Sequence, residues 1–243
     1  MPQDPAFLTT HWSLVRAAGG RGGEAVVALD ELCRAYWFPL YAYVRRCGVD
    51  AHAAEDLVQG FLARLIERRD LEALAPEKGR FRAFLRTAIR NHVANWRAGE
   101  RAEKRGGGKV LREADFADAD QRLEREAPAD DDPERAFERV WARELLAAAT
   151  DDVRRDYAES GRARVFEELK VELQRAGDSD VEAHAQALGM TNGACAVAIH
   201  RLRTRFREKL EQRVRATLGP EEDWQAELGE LLTALATKKP SGL

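Results

Sequence analysis

An all-α fold, in two helical domains joined by a flexible acidic linker, is what three features of this sequence predict. No segment sustains an apolar-polar alternation, so no strand is expected, and Ala, Leu, Arg and Glu, all good helix formers, dominate. Apolar residues recur three and four positions apart in several long runs. Near the middle the chain turns sharply acidic: from Arg112 to Glu134 there are three basic and ten acidic residues and two prolines. A length of 243 residues favours two compact domains over one.

In chain order, Thr10 caps a short helix through Val15, ended by Gly19, Gly20, Gly22 and Gly23. A helix from about Glu24 to Arg46 stops at Gly48. Asp50 caps the next, to about Arg69, whose apolar face carries Leu57, Val58, Phe61, Leu62, Leu65 and Ile66. Pro76 and Gly79 precede a helix from about Arg80 to Arg105, closed by Gly106, Gly107 and Gly108. The acidic stretch 106–133 follows as linker, or as a linker holding a solvated acidic helix around Asp118 to Glu126. Beyond it, helices are predicted for Pro133 to Ala149, Val153 to Arg175, Asp180 to Leu188 and Asn192 to Leu218. A last amphipathic helix carries Trp224, Leu228, Leu231, Leu232 and Leu235. The predicted organisation is a domain at 1–105, the linker 106–133, a domain at 134–220, and a C-terminal helix and tail at 221–243.

Composition narrows the function classes. No stretch approaches the roughly 18 apolar residues of a membrane span, and the N-terminus lacks the pattern of a secretion signal. Cys33, Cys47 and Cys195 form no CxxC pair and have no histidine at metal-ligand spacing, so reduced cysteines and a cytoplasmic protein without metal or cofactor are expected. There is no Gly-rich phosphate loop and no nucleophile motif, so the chain is not expected to be an enzyme.

A formal net charge of -3 hides two basic helices. From Gly79 to Arg105 eight Arg/Lys face two Glu, and from His200 to Arg215 seven face two. At 100° per residue the first helix separates an apolar side (Phe81, Phe84, Leu85, Ala88, Ile89, Trp96) from an arc holding Arg82, Arg86, Arg90, Arg97, Arg101 and Lys104. Six like charges on one face repel one another; they make an external polyanion contact, or else a solvated face. Trp96, between Asn95 and Arg97, either stacks on an unpaired base or packs inward.

Asp180 to Leu188, then Gly189-Met190-Thr191, then a long basic helix is a helix-turn-helix layout. Cys195, Ile199, Leu202, Phe206 and Leu210 form its buried face, leaving His200, Arg201, Arg203, Arg205 and Arg207 on or near outer surfaces. The N-terminal positions that read bases (Thr191, Asn192, Ala194, Ala196, Val197) are poor in long donors, which favours phosphate positioning over dense base readout.

Together these pieces resemble a bacterial RNA polymerase sigma factor of the extracytoplasmic-function (ECF) group of the sigma-70 family. The resemblance to region 2 is carried by Ala54-Glu55-Asp56-Leu57-Val58-Gln59-Gly60-Phe61 and by Gly79-Arg80-Phe81-Arg82-Ala83-Phe84-Leu85 through Arg90-Asn91. That to region 4 is carried by Ala187-Leu188-Gly189-Met190-Thr191-Asn192-Gly193 and Ile199-His200-Arg201-Leu202-Arg203. The start Thr10-His11-Trp12-Ser13-Leu14 resembles a larger subgroup of these factors.

The resemblance implies a protein that binds core RNA polymerase, opens the -10 element with region 2 and binds -35 duplex with region 4. Glu55, Asp56, Gln59 and Phe61 would contact the β′ clamp helices, with Phe61 serving either that contact or the core. Arg82, Arg86, Arg90, Arg97 and Arg101 would run along -10 DNA with Asn91, Asn95 and Trp96, and Lys78 would lie in the loop that captures a flipped base. Thr191, Asn192, His200, Arg201, Arg203 and Arg205 would meet the -35 element. Promoter DNA, duplex and single-stranded, is then a partner, with room for an anti-sigma or other regulatory protein. The chain departs from the family pattern at Gly60, at His184, where a neutral hydrogen-bonded histidine would replace an aliphatic residue, and at Ala196. Two other roles stay open: a helix-turn-helix regulator acting without polymerase, and a sigma-derived protein-interaction module.

Overall fold

The computed structural model describes residues 15, 17–20, 22–67, 80–103, 117–127, 132–175, 177–218 and 222–236. Among them every regular element is helical, as expected from the composition. The elements are α1 (Gly23–Arg46), α2 (Ala51–Glu67), α3 (Phe81–Glu103), α4 (Ala117–Glu126), α5 (Pro133–Glu159), α6 (Ala163–Leu169) with a 3-10 turn (Lys170–Leu173), α7 (Val181–Leu188), α8 (Asn192–Ala216) and α9 (Trp224–Leu235). No described helix is long and apolar enough to cross a membrane. The predicted short helix from Thr10 lies outside the described residues, Val15 excepted.

The chain divides into two compact units, Met1–Arg143 with Ala216–Leu243, and Glu144–Arg215. In the first unit α1 packs against α2 and α3. Phe81, Leu85, Ile89 and Val93, one turn apart on α3, are all buried, and Phe81 meets Tyr36 of α1 edge-on at 5.3 Å between ring centroids. From α2, Leu57, Val58, Phe61, Leu62 and Leu65 complete this core, the face that their helical spacing predicts.

The acidic stretch departs from a plain spacer. Within it α4 docks on α1: Leu123 and Ala127 are buried, and Asp120 accepts hydrogen bonds from Tyr41 (2.8 Å) and from Arg45 Nε and Nη2 (2.7 and 2.9 Å). Arg46 donates to the Ala127 carbonyl at 2.8 Å, and the Arg122 guanidinium lies 4.0 Å from the Phe38 ring centroid. Burial alone would raise the Asp120 carboxyl, but the hydrogen bonds from Arg45 and Tyr41 hold it below the usual carboxylate range.

The helix predicted to stop at Ala149 runs on to Glu159. Polar residues at Thr150, Asp151 and Asp152 suggest a break, but Thr150 back-bonds to the Leu146 carbonyl (2.8 Å) and both aspartates pair with cations. The stop is Gly161, at φ 70, with Arg162 N–H reaching the Tyr157 carbonyl at 2.7 Å. The second predicted helix of this domain is correspondingly shortened to α6 and its 3-10 turn. The core of the second unit gathers Val153, Tyr157, Phe166, Leu169, Ala185, Cys195, Ile199 and Leu202.

Gly60 sits in mid-helix on α2, and a Cβ added there meets nothing within 4 Å. Gly60→Ala is therefore expected to stabilise the chain by about 0.5–1 kcal/mol, seen as a raised urea midpoint at unchanged slope.

Candidate nucleic-acid interface

The α3 helix presents two different surfaces along its length. From Arg90 onward its outer face is open: Arg90, Asn91, Asn95 and Arg97 are exposed, and Trp96 is half-buried beside them. Arg97 donates to the carbonyl of Cys47, which ends α1, so its guanidinium is steered while its remaining donors face outward. Lys78 and the Arg101 side chain lie outside the described residues.

At its N-terminal end the expected arginine arc is interrupted. Arg82 turns inward, only 7 % exposed, with its guanidinium 4.6 Å from the Trp141 ring centroid. Its Nε lies 3.1 Å from Glu138 of α5, Nη2 lies 3.0 Å from Glu230 of α9, and Nη1 pairs with the fully buried Glu227. Arg86 also pairs with Glu138, at 2.7 Å. Arg80 reaches Glu222 (3.4 Å), Glu227 (2.7 Å) and Glu230. Burial pushes the Arg82 guanidinium below its ordinary pKa despite Glu138, whereas hydrogen bonding from Arg80 lowers the Glu230 carboxyl. The physical reason for the departure is position: Arg82 is adjacent to Phe81 on the buried flank, and a guanidinium is tolerated there because carboxylates surround it. Sequence reasoning passed over Glu138, Glu227 and Glu230; the signal was an acidic face on the last helix, Glu227 and Glu230 being one turn apart.

On α2, Asp56 and Gln59 are exposed, Glu55 is half-buried, and Phe61 is in the core against the His92 ring (5.7 Å). Burial and the neighbouring Asp56 charge raise the Glu55 carboxyl above its usual range. Asp56 and Gln59 lie three residues apart on one exposed flank of α2.

Residues 32–103, most of α1 with all of α2 and α3, match the family model of sigma-70 region 2. The chain carries a sigma-70 region 2. The match is with region 2 alone and covers less than half of the chain. No curated protein and no solved structure gives a match.

In the second unit α7 and α8 follow one another across the short turn Gly189 to Thr191. Asp180 caps α7 by accepting from Ala183 N–H (3.2 Å), Gly189 ends it at φ 69, and Thr191 caps α8 by accepting from Ala194 N–H (3.2 Å). Thr191, Asn192, Ala194, Ala196 and Val197 are exposed at the start of α8, and His200 and Arg201 one to two turns on. Arg203 and Arg205 are tethered: Arg203 to Glu172 (2.9 Å) and Ser179 (3.2 Å), Arg205 to Asp156 (2.7 Å) and Glu208 (3.2 Å).

The surroundings of His184 work against the neutral histidine expected. The imidazole is buried between two carboxylates, Nδ1 at 2.8 Å from Glu168 and Nε2 at 3.2 Å from the buried Glu172. Glu168 and, against some desolvation, Glu172 raise its pKa above the ordinary 6.5, favouring imidazolium. A raised folded-state pKa gives stability that is complete below the unfolded value and lost as pH rises through the folded one. The wild type is therefore expected to lose urea stability relative to His184→Leu as pH rises from the ordinary histidine range through the raised folded-state value. Identical pH profiles for the two proteins would remove the imidazolium from this network.

Proposed function

We propose that this chain is a sigma factor of the ECF group, cytoplasmic and non-enzymatic, that binds core RNA polymerase and directs promoter-specific initiation without a cofactor of its own. Asp56 and Gln59, with Glu55, meet the β′ clamp helices from α2. Arg90, Asn91, Asn95, Arg97 and, through base stacking, Trp96 engage the -10 strand as it opens. Arg101 and Lys78 extend that contact, and α7 with α8 binds -35 duplex mainly through phosphates, using Thr191, Asn192, His200 and Arg201, with Arg203 and Arg205 behind them. Phe61 supports α2 from the core. The observation that carries this reading is the coincidence of the region 2 match with an exposed Arg/Asn row on α3 and exposed Asp56 and Gln59 on α2.

In-vitro transcription with purified core polymerase on genomic promoter fragments is the test. Promoter-specific transcripts that require both core and this chain are expected; failure to bind core would sink the proposal, and polymerase-independent duplex binding would favour a plain DNA-binding regulator. In the same assay Arg90→Ala with Arg97→Ala is expected to weaken open-complex formation and to flatten its log-log salt dependence by about 1.4, at about 0.7 per single-strand phosphate contact. An unchanged salt slope would take both arginines off the DNA.

A further inference from the structure

The α9 helix is held to α3 in an unusual way. Of its twelve residues only Glu227 and Leu231 are buried, and Leu232 is 55 % exposed. Trp224, Leu228 and Leu235 are half-buried, and a cluster of ion pairs adds to them: Glu222, just ahead of the helix, with Glu227 and Glu230, against Arg80 and Arg82. A hydrogen bond also runs from Arg139 to the Leu235 carbonyl (3.2 Å). An element held in good part by charge is the kind that salt and polyanions displace.

Guanidinium groups bind carboxylates and phosphates by the same fork of N–H donors. Exchanging one for the other leaves Arg80 and Arg82 paired throughout, so release of α9 by DNA strands no uncompensated charge, and the apolar burial given up is that of Leu231 and part of that of Trp224, Leu228 and Leu235.

We propose that α9 is an internal acidic competitor: Glu222, Glu227 and Glu230 occupy Arg80 and Arg82 in place of DNA phosphates, and strand engagement at this end of α3 requires α9 to leave. The proposal rests on α3 being the DNA-contacting helix of the preceding section. It divides the helix into a standing contact at Arg90 to Arg97 and a gated one at Arg80 and Arg82.

The test uses the full chain, a fluorescein-labelled single-stranded DNA oligonucleotide, and the variant Glu222→Gln with Glu230→Gln. Both substituted side chains are partly exposed, which preserves the fold where Glu227→Gln threatens it, and a thermal melt checks this. The variant is expected to bind the oligonucleotide at least about threefold tighter at low salt, the difference shrinking as salt rises. Adding the oligonucleotide to the wild type is expected to strip hydrogen-exchange protection from the α9 amides. Binding with α9 protection intact, equal affinities, or no binding by either protein would each overturn the competitor. Transcription with core polymerase, scored separately, decides the sigma-factor role whichever way α9 behaves.

Discussion

A guanidinium in the interior of the first unit sets what the surrounding elements must supply. Arg82 lies beside Trp141 with almost no access to water, and a buried cation is tolerable only where anions and hydrogen-bond acceptors enclose it. The acceptors come from far along the chain, Glu138 on α5 and Glu227 and Glu230 on α9. One residue of α3 thus recruits two helices that follow the acidic stretch, and α3, α5 and α9 meet around it. Such a site adds little net stability against an apolar alternative, yet a guanidinium stripped of its carboxylates there would bear its full desolvation penalty. Its effect is on which helix sits where.

The second unit is organised around the opposite sign. Glu172, 1 % exposed, collects Ser179, Arg175, His184 and Arg203, so that the 3-10 turn, α7 and α8 converge on one carboxylate. Arg203 of α8 is thereby committed partly to structure, and His184 is held between two carboxylates where an aliphatic side chain would merely fill space. Each unit builds its helix geometry on a buried ion completed by long-range partners.

Local rules were enough for much of this. Asp180, Gly189 and Thr191 specify the two short-range caps and the turn between α7 and α8, and the four-residue spacing from Phe81 to Val93 marks the buried stripe of α3. They misplace features whose cause lies elsewhere in the chain. Periodicity sets Arg82 at the edge of an apolar stripe but cannot say whether carboxylates from 56 and 148 residues away will meet it there. The polar run Thr150-Asp151-Asp152 looks like a helix end until Arg213, brought by α8, pairs with Asp152. Asp120 looks like one acid among ten in a linker, and only the folded chain shows it seated between Tyr41 and Arg45. The site was legible where it depends on exposed residues of one helix, and illegible where charges cancel across helices.

The 148 residues between Arg82 and Glu230 also impose an order in time. During synthesis α1, α2 and α3 emerge first, and at 5–20 residues per second the carboxylates of α9 follow roughly 7 to 30 seconds later. Through that interval the nascent chain holds its arginines at the start of α3 without their final partners, and closing so long a loop is the last step in completing the unit. The rate at which the stretch from Arg82 to Glu230 is translated thus sets how long each new molecule spends in an unclosed, cation-rich form.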